Sequence, residues 1–209
     1  MHKSQVVSPA ETGHRSAISR TEWWREGSPP PRMELAASPD AMLKWLSDAG
    51  LAERPILSQI KARWKAAPRE ADALLETAVK LREALYELFI ARIDGRKADP
   101  AAAKTVNRHL SGSQAGSGLA LSHTTFRWQR PAGKLAPEAL LRPIAWSAAG
   151  LLTGPRAQKL KQCQDQRGCG WLFIDESRAQ NRRWCTMGDC GNLAKSRRHY
   201  HRAKAGART

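Results

Sequence analysis

The sequence contains few cysteines, and their distribution argues against a disulfide framework. Only four cysteines occur in 209 residues, all of them between Cys163 and Cys190. Disulfide frameworks are typical of small secreted chains whose cysteines are spread along the length. Cysteines confined to one short segment of a chain without secretory features indicate metal binding instead.

Long apolar segments are also missing. No run approaches the roughly 20 apolar residues that a membrane helix needs. The stretch from Met1 to Arg20 is polar and lacks the apolar region of a signal peptide. We therefore expect a cytoplasmic protein that does not associate with membranes.

Acidic residues are scarce relative to basic ones. The chain has 35 Lys and Arg against 19 Asp and Glu, which gives a formal net charge of +16. The part from Cys163 to Thr209 holds ten Lys or Arg and four Asp or Glu, so both it and the preceding part are basic. An excess of this size attracts polyanions, and nucleic acid is the expected partner.

Patterns of catalytic residues are absent as well. The six histidines show no metal or nucleophile spacing, and neither a phosphate-binding loop nor a nucleophile elbow occurs. Asp175 and Glu176 are adjacent, and neighbours on a strand point to opposite faces, so they do not form a catalytic pair. We expect Asp175 to pair with Arg182 or Arg183 instead. The sequence thus predicts a protein that is not an enzyme.

Hydrophobic periodicity predicts a mainly α fold with a small β component. Ser38 is a suitable N-cap for a first helix that ends at Gly50, and a short helix is expected around 56–64. Apolar residues at three- and four-residue spacing indicate a long helix from Pro68 to Ile93. Further elements are expected in chain order: a helix at 100–110, strand material at 119–128 and a helix at 137–152.

The predicted organisation has three parts. An irregular segment covers residues 1–32, a mainly helical domain covers 33–155, and a small four-cysteine zinc finger covers 160–205. The finger is expected to consist of a β-hairpin followed by a C-terminal helix. No heptad or symmetric feature indicates an oligomer.

The four cysteines occur in two pairs, with the spacing Cys163-x5-Cys169-x15-Cys185-x4-Cys190. Zinc takes four thiolates in a tetrahedron, and two such pairs supply them if the chain between them folds back. We expect a hairpin of the strands 171–175 and 182–184 to do this. The result is a closed, structural zinc site; the alternative is four unligated thiols.

A basic helix is predicted directly after the last cysteine, from Asn192 to Ala205. Asn192 is expected to cap it, while Leu193 and Tyr200 are expected to pack back on the hairpin. A helix of this diameter fits the DNA major groove, and its cations neutralise phosphates. The candidate nucleic-acid contacts are basic residues of the finger: Arg182, Arg183, Lys195, Arg197, Arg198 and Arg202.

These residues carry a resemblance to a known family. The runs 169–178 and 182–187, the triplet Cys190-Gly191-Asn192 and the run 195–200 resemble the CGNR zinc finger of bacterial transcription regulators. The resemblance implies that Cys163, Cys169, Cys185 and Cys190 are the zinc ligands. Leu193 stands where the family motif has an arginine.

The upstream region resembles the ABATE domain, a proposed stress-induced regulator domain that is usually joined to this finger. The matching segments are 23–50, the long helix near 74–93, the strand 126–128 and the segment 143–152. The resemblance implies that this domain senses a small-molecule effector, for which a pocket lined by Trp45, Phe89, Trp128 or Trp146 is the candidate.

Our leading hypothesis is a DNA-binding transcription regulator of the stress response, built around the zinc finger. The alternative is a zinc-stabilised RNA- or ribosome-binding protein, in which Trp171 and Trp184 stack on bases. A third hypothesis is a finger that binds another protein. Preference for duplex DNA over single-stranded RNA distinguishes the first two.

Overall fold

The computed structural model describes residues 38–111, 118–122, 125–129, 137–165 and 169–206. The segment predicted to be irregular, 1–32, lies outside these ranges. The described part is mainly helical with two short antiparallel strand pairs, which confirms the predicted fold class. None of its helices is both long and apolar enough to cross a membrane.

The first two helices begin and end as their local sequence dictates. Helix α1 (Pro39–Asp48) is capped by Ser38, whose side chain accepts a 3.1 Å hydrogen bond from the Ala41 amide. Gly50 follows it with φ +68°, a conformation that favours glycine. Helix α2 (Arg54–Ala66) confirms the predicted short helix and is longer than its apolar residues indicated.

Helix α3 (Pro68–Asp94) is the centre of the helical layer and contacts α1, α2 and the helices that follow it. Its apolar stripe is buried as the periodicity predicts, with Leu81 and Phe89 at most 1% exposed. The helix ends at Gly95, which adopts φ +65°. As a left-handed cap, it donates its backbone N–H to the Ala91 carbonyl of the last turn.

The remaining upstream elements pack onto α3 or extend from this layer. Helix α4 (Pro100–Ser111) begins where the side chain of Asp99 accepts a hydrogen bond from the Ala101 amide. Strands β1 (Gly118–Ser122) and β2 (Thr125–Gln129), where strand material was expected, form an antiparallel pair. A 3-10 helix (Pro137–Leu141) leads into α5 (Arg142–Thr153), which places Pro143 in the first turn.

The second strand pair joins the cysteine segment to the helical core. After a 3-10 helix (Pro155–Lys159), strand β3 (Leu160–Gln162) pairs antiparallel with β4 (Leu172–Ile174). Leu160 and Leu172 are buried in the same apolar core as the helices. The Gln162 amide also donates a 2.7 Å hydrogen bond to the Tyr86 hydroxyl on α3. The cysteine segment therefore packs against the helices on a shared core.

The hairpin differs from the predicted one in the strand that pairs with β4. The segment 182–184 was expected to pair with 171–175, but β3 takes that place, and 182–184 forms no strand. The ladder continues at both ends, since the Cys163 amide bonds to the Trp171 carbonyl and the Asp175 amide to the Lys159 carbonyl. Segment 182–184 instead lies beside Gln164, whose amide bonds to the Arg183 carbonyl at 2.9 Å.

Candidate metal centre

The four cysteine sulfurs form a compact cluster, within 4.8 Å of one another. The Sγ atoms of Cys169 and Cys185 are 4.0 Å apart, and those of Cys185 and Cys190 are 3.8 Å apart. A tetrahedral zinc site with Zn–S bonds of about 2.3 Å has sulfur–sulfur edges of about 3.8 Å. A disulfide bond requires about 2.05 Å, and all four thiols are free. The donor set and its spacing therefore fit a tetrahedral metal site.

Four different pieces of backbone position these sulfurs. Cys163 directly follows β3, and Cys169 lies shortly before β4, next to Gly170 with its φ of +62°. Cys185 belongs to the irregular segment beside the hairpin. Cys190 lies in a π-helical turn (Met187–Gly191) that runs directly into helix α6 (Asn192–Gly206). The cluster therefore fixes the position at which α6 begins.

Backbone amides surround the cluster and favour charged sulfur. The Cys185 amide is 3.5 Å from the Cys163 sulfur. The Asp165 amide also donates to the Cys163 sulfur, and the Trp171 amide to that of Cys169. Such hydrogen bonds stabilise thiolates, which are the form that binds metal.

The thiols compete for negative charge. The pKa of Cys163 is lowered to about 2, because Cys169 and Cys185 donate side-chain hydrogen bonds to its sulfur. The same contacts raise the pKa of Cys169 and of Cys185. Burial raises the pKa of Cys190. A divalent cation binds thiols in their deprotonated form, so a bound metal favours the charged form of all four sulfurs.

Close packing in the π-helical turn explains the glycine after the last cysteine. The Gly191 amide bonds to the Thr186 carbonyl at 3.0 Å, across five residues. A Cβ atom at this position would lie 2.8 Å from the Met187 sulfur and 3.3 Å from the Thr186 carbonyl oxygen. Met187 is exposed and its side chain can move, so the Thr186 carbonyl is the fixed neighbour that favours a small residue here.

Asp175 is a fully buried carboxylate that ties the finger together. It accepts hydrogen bonds from the Lys161 ammonium at 2.7 Å, from the Arg182 amide at 2.8 Å and from both the amide and hydroxyl of Ser177. Asp175 does contact Arg182, as predicted, but through the backbone amide of that residue, and Lys161 supplies the opposite charge. Burial alone raises the pKa of Asp175, but these hydrogen bonds outweigh it and hold the pKa well below its ordinary value.

Asp165 is a second buried carboxylate, and the sequence reasoning missed it. Its side chain accepts a hydrogen bond from the Cys190 thiol. Arg197 of α6 compensates this charge, with Nη1 lying 3.8 Å from an Asp165 oxygen. The signal in the sequence was an acidic residue two positions after a ligand cysteine. Arg197, predicted to contact nucleic acid, is therefore directed at the metal cluster.

Arg182 is likewise turned towards the protein. Its guanidinium donates a 2.8 Å hydrogen bond to the Cys185 carbonyl and lies 5.1 Å from the centre of the Phe173 ring. These contacts hold the segment that carries Cys185 against β4. Its predicted role in nucleic-acid binding gains no support from this placement.

Three of the other four predicted contact residues are exposed, and the side chain of the fourth is not among those that the structure describes. Arg183, Lys195 and Arg198 are exposed. Both Arg183 and Arg198 lie over the ring of Trp184, at 5.4 Å and 5.8 Å from its centre. Arg202 lies on α6, but its side chain is outside the described part of the chain.

Helix α6 departs from the prediction at three positions. Asn192 does not cap the helix as an acceptor; its side-chain amide donates to the Gly188 carbonyl, because the π-helical turn continues into α6. Leu193 and Tyr200 were expected to pack on the hairpin, yet they are 37% and 62% exposed. Arg197 and Arg198 of α6 contact the rest of the finger, at Asp165 and Trp184 respectively.

The residues predicted to line an effector pocket lie in different surroundings. Trp45 and Phe89 are packed in the helical core, whereas Trp146 is 48% exposed. The side chain of Trp128 lies outside the described residues. A hollow of about 440 Å³ lies elsewhere, lined by Ser38, Pro39, Asp40, Lys61, Trp64, Lys65, Pro68, Ala71 and Asp72.

Comparison with known proteins identifies two family models in the chain. The ABATE model, described as "Putative stress-induced transcription regulator", matches residues 18–155. The CGNR zinc finger model matches residues 159–203, which include all four cysteines. Neither description names an enzyme. A search of curated proteins gave no match. The order of the two models confirms the resemblance drawn from the sequence.

Proposed function

Since the chain belongs to the ABATE family and carries a CGNR zinc finger, we propose that it is a transcription regulator that binds duplex DNA through a zinc-ordered basic helix. The observation that carries this proposal is the direct connection between the cysteine cluster and α6. Cys190 lies in the turn that becomes the helix, and Arg197 on the helix reaches back to Asp165 beside the cluster. Metal binding and presentation of α6 are therefore one structural event.

The metal we propose is zinc, held by Cys163, Cys169, Cys185 and Cys190. Four thiolates at tetrahedral spacing suit zinc and leave no position for a substrate or an activated water. When bound, the ion supplies positive charge and cross-links four backbone segments. The role is structural, as expected for a closed four-cysteine site.

The surface that we propose for DNA is the outer face of α6. The helix sequence contains no Asp or Glu, and Lys195, Arg198 and Lys204 are exposed on it. Cations without acidic neighbours neutralise phosphates and release counterions. Because Arg182 and Arg197 are occupied by contacts within the finger, we assign them to stability. We keep Arg183, Lys195, Arg198 and Arg202 as the proposed contacts.

We propose that the upstream helical domain senses a small molecule, and the hollow beside Trp64 is the place to test. Lys61 and Lys65 line it together with Asp40 and Asp72, and Lys61 pairs with Asp40 at 3.0 Å, so the hollow offers polar contacts of both signs to a ligand. A thermal-shift screen of metabolites on the full chain tests this assignment. Stabilisation that is lost in Lys61→Ala supports it, and stabilisation that is unchanged there contradicts it.

Selection from a randomised pool tests the proposed DNA binding. The zinc-loaded chain is incubated with random duplex DNA at near-physiological salt, with single-stranded RNA as competitor. We expect a defined sequence to be enriched and the enrichment to disappear when zinc is chelated or when Cys190→Ser is used. Binding that ignores sequence and yields to RNA would replace this proposal with the RNA-binding alternative.

A further inference from the structure

Two arginines from separate segments of the finger meet on one tryptophan. Trp184 lies in the segment before Cys185, next to Arg183, while Arg198 comes from the second turn of α6. The two guanidinium carbons lie 5.4 Å and 5.8 Å from the centre of the Trp184 ring. These distances are within the range of cation–π attraction, so one ring positions both cations.

Among the residues that the structure describes, no carboxylate pairs with either of these two guanidiniums. Arg156 and Arg197 are each paired with a carboxylate, Glu176 and Asp165 respectively. Within the described part of the chain, neither Arg183 nor Arg198 forms an ion pair. Arg183 has a neutral partner, since its Nε donates a 2.8 Å hydrogen bond to the Gln164 side chain. Two exposed like charges thus share one aromatic ring, an arrangement that an anion would stabilise.

We propose that Arg183 and Arg198, positioned by Trp184, form a clamp for the sugar-phosphate backbone of duplex DNA. The inference rests on the proposed function and assigns a task to residues of that site. The arginines bind phosphate, and Trp184 is a positioning residue that fixes their guanidiniums. The clamp joins the segment before Cys185 to α6, so it assembles only when the metal holds the two segments together.

Phosphate binding predicts a specific thermodynamic signature. Each phosphate that a protein neutralises on duplex DNA contributes about 0.9 to the slope of log affinity against log salt concentration. Loss of one such contact weakens binding by a similar factor for every sequence. Loss of a base contact would instead change which sequence is preferred.

The experiment measures DNA affinity as a function of salt for the full zinc-loaded chain. The variants are Arg183→Gln, Arg198→Gln, their combination and Trp184→Ala, each checked for unchanged zinc content and unfolding temperature. Arg178→Gln is the matched control, because Arg178 is exposed on the same finger and contacts neither Trp184 nor α6 in the described structure. Trp184→Phe retains an aromatic ring and serves if the alanine variant folds poorly.

We expect each single arginine variant to reduce the salt slope by about 1 and the combination by about 2. Trp184→Ala should weaken binding, and Arg183→Gln should cost less in that background than in the wild type, because the ring no longer positions the cation. The DNA affinity of Trp184→Phe should lie between that of Trp184→Ala and that of the wild type.

Three results would overturn the clamp. One is an equal loss of slope in the control Arg178→Gln, and another is strict additivity of the tryptophan and arginine effects. The third is a changed sequence preference in Arg198→Gln, which would make that residue a base reader. If the wild type selects a DNA sequence and the arginine variants behave normally, only the clamp fails. If the wild type binds no duplex, the proposed function fails and the clamp with it.

Discussion

The buried carboxylate of Asp175 provides the sharpest single perturbation. Replacement by Asn keeps the volume but removes the charge that compensates Lys161, and the new amide group faces donors on three sides. Breaking a buried ion pair by changing one partner costs roughly 3–5 kcal/mol. In a chain of this size that corresponds to a fall in unfolding temperature of roughly 6–20 °C.

The neighbouring residue offers a matched control. Glu176 makes ion pairs with Arg156 and Lys159 at 2.7 Å and 2.9 Å, but its side chain is 45% exposed. Exposed pairs contribute about 0–1 kcal/mol, so Glu176→Gln should shift the unfolding temperature by less than about 4 °C. The assay is thermal unfolding of both zinc-loaded variants, followed by circular dichroism.

The Asp175→Asn variant should also bind zinc more weakly. In the wild type, the Asp175 carboxylate accepts hydrogen bonds from the Arg182 amide and from Lys161. The first bond holds the segment that leads to Cys185, and the second holds the strand that leads to Cys163. A competition titration with a chelator of known affinity measures this loss. Equal stability and equal zinc affinity of the two variants would refute the idea that Asp175 organises the finger.

The structure supports four further predictions. Because the folded-state pKa of Asp175 is lowered, its contribution to stability is fully present above about pH 4. It is lost as the pH falls through that lowered pKa. The free energy of unfolding of the wild type should therefore decrease more steeply with falling pH than that of Asp175→Asn. Chelation of zinc should expose the backbone amides of β3 and α6 to hydrogen exchange. Amides that stay fully protected after chelation would contradict this prediction. Phe89→Ala should cost about 3–5 kcal/mol of unfolding free energy in a denaturant titration, since Phe89 is fully buried. Arg197→Ala should weaken zinc binding and leave the salt slope of DNA binding unchanged. Arg198→Gln should do the opposite. A lower salt slope in Arg197→Ala would indicate that Arg197 contacts DNA.

Local signals in the sequence were sufficient for most of the helices. Ser38 with Pro39, the apolar stripe of α3 and the cap at Gly95 all act within a few residues of their own positions. Such effects are decided by backbone geometry and periodic burial, which a sequence displays directly. The cluster of four cysteines was also predictable, since metal ligands need only the right donors and enough chain between them.

Pairing across the finger was not predictable in the same way. Segments 182–184 and 160–162 both have residues suited to a strand, and the choice depends on which one buries apolar side chains in the helical core. Leu160 satisfies that demand and 182–184 does not. The placement of Arg182 and Arg197 was not predictable for a related reason, because a charge pattern does not reveal which cations face buried carboxylates or carbonyls.

The exposure of Leu193 and Tyr200 shows the limit of helical periodicity on a short finger. Both residues were expected to pack on the hairpin because they are apolar and lie on a helix. A π-helical turn at 187–191 precedes α6, and Arg197 is the α6 residue that reaches the buried Asp165. A turn with five-residue hydrogen bonding has no simple sequence signature, although the tight packing at Gly191 was one of its requirements.

The central claim is that metal binding creates the DNA-binding surface, and one measurement tests it most directly. Affinity for the selected duplex is determined while zinc occupancy is raised stepwise in the initially chelated chain. The account predicts that sequence-specific affinity rises in proportion to zinc bound, with one zinc per chain, and that Cys190→Ser shows no such rise. Full specific affinity in the chelated chain, or a rise that is identical in Cys190→Ser, would contradict it.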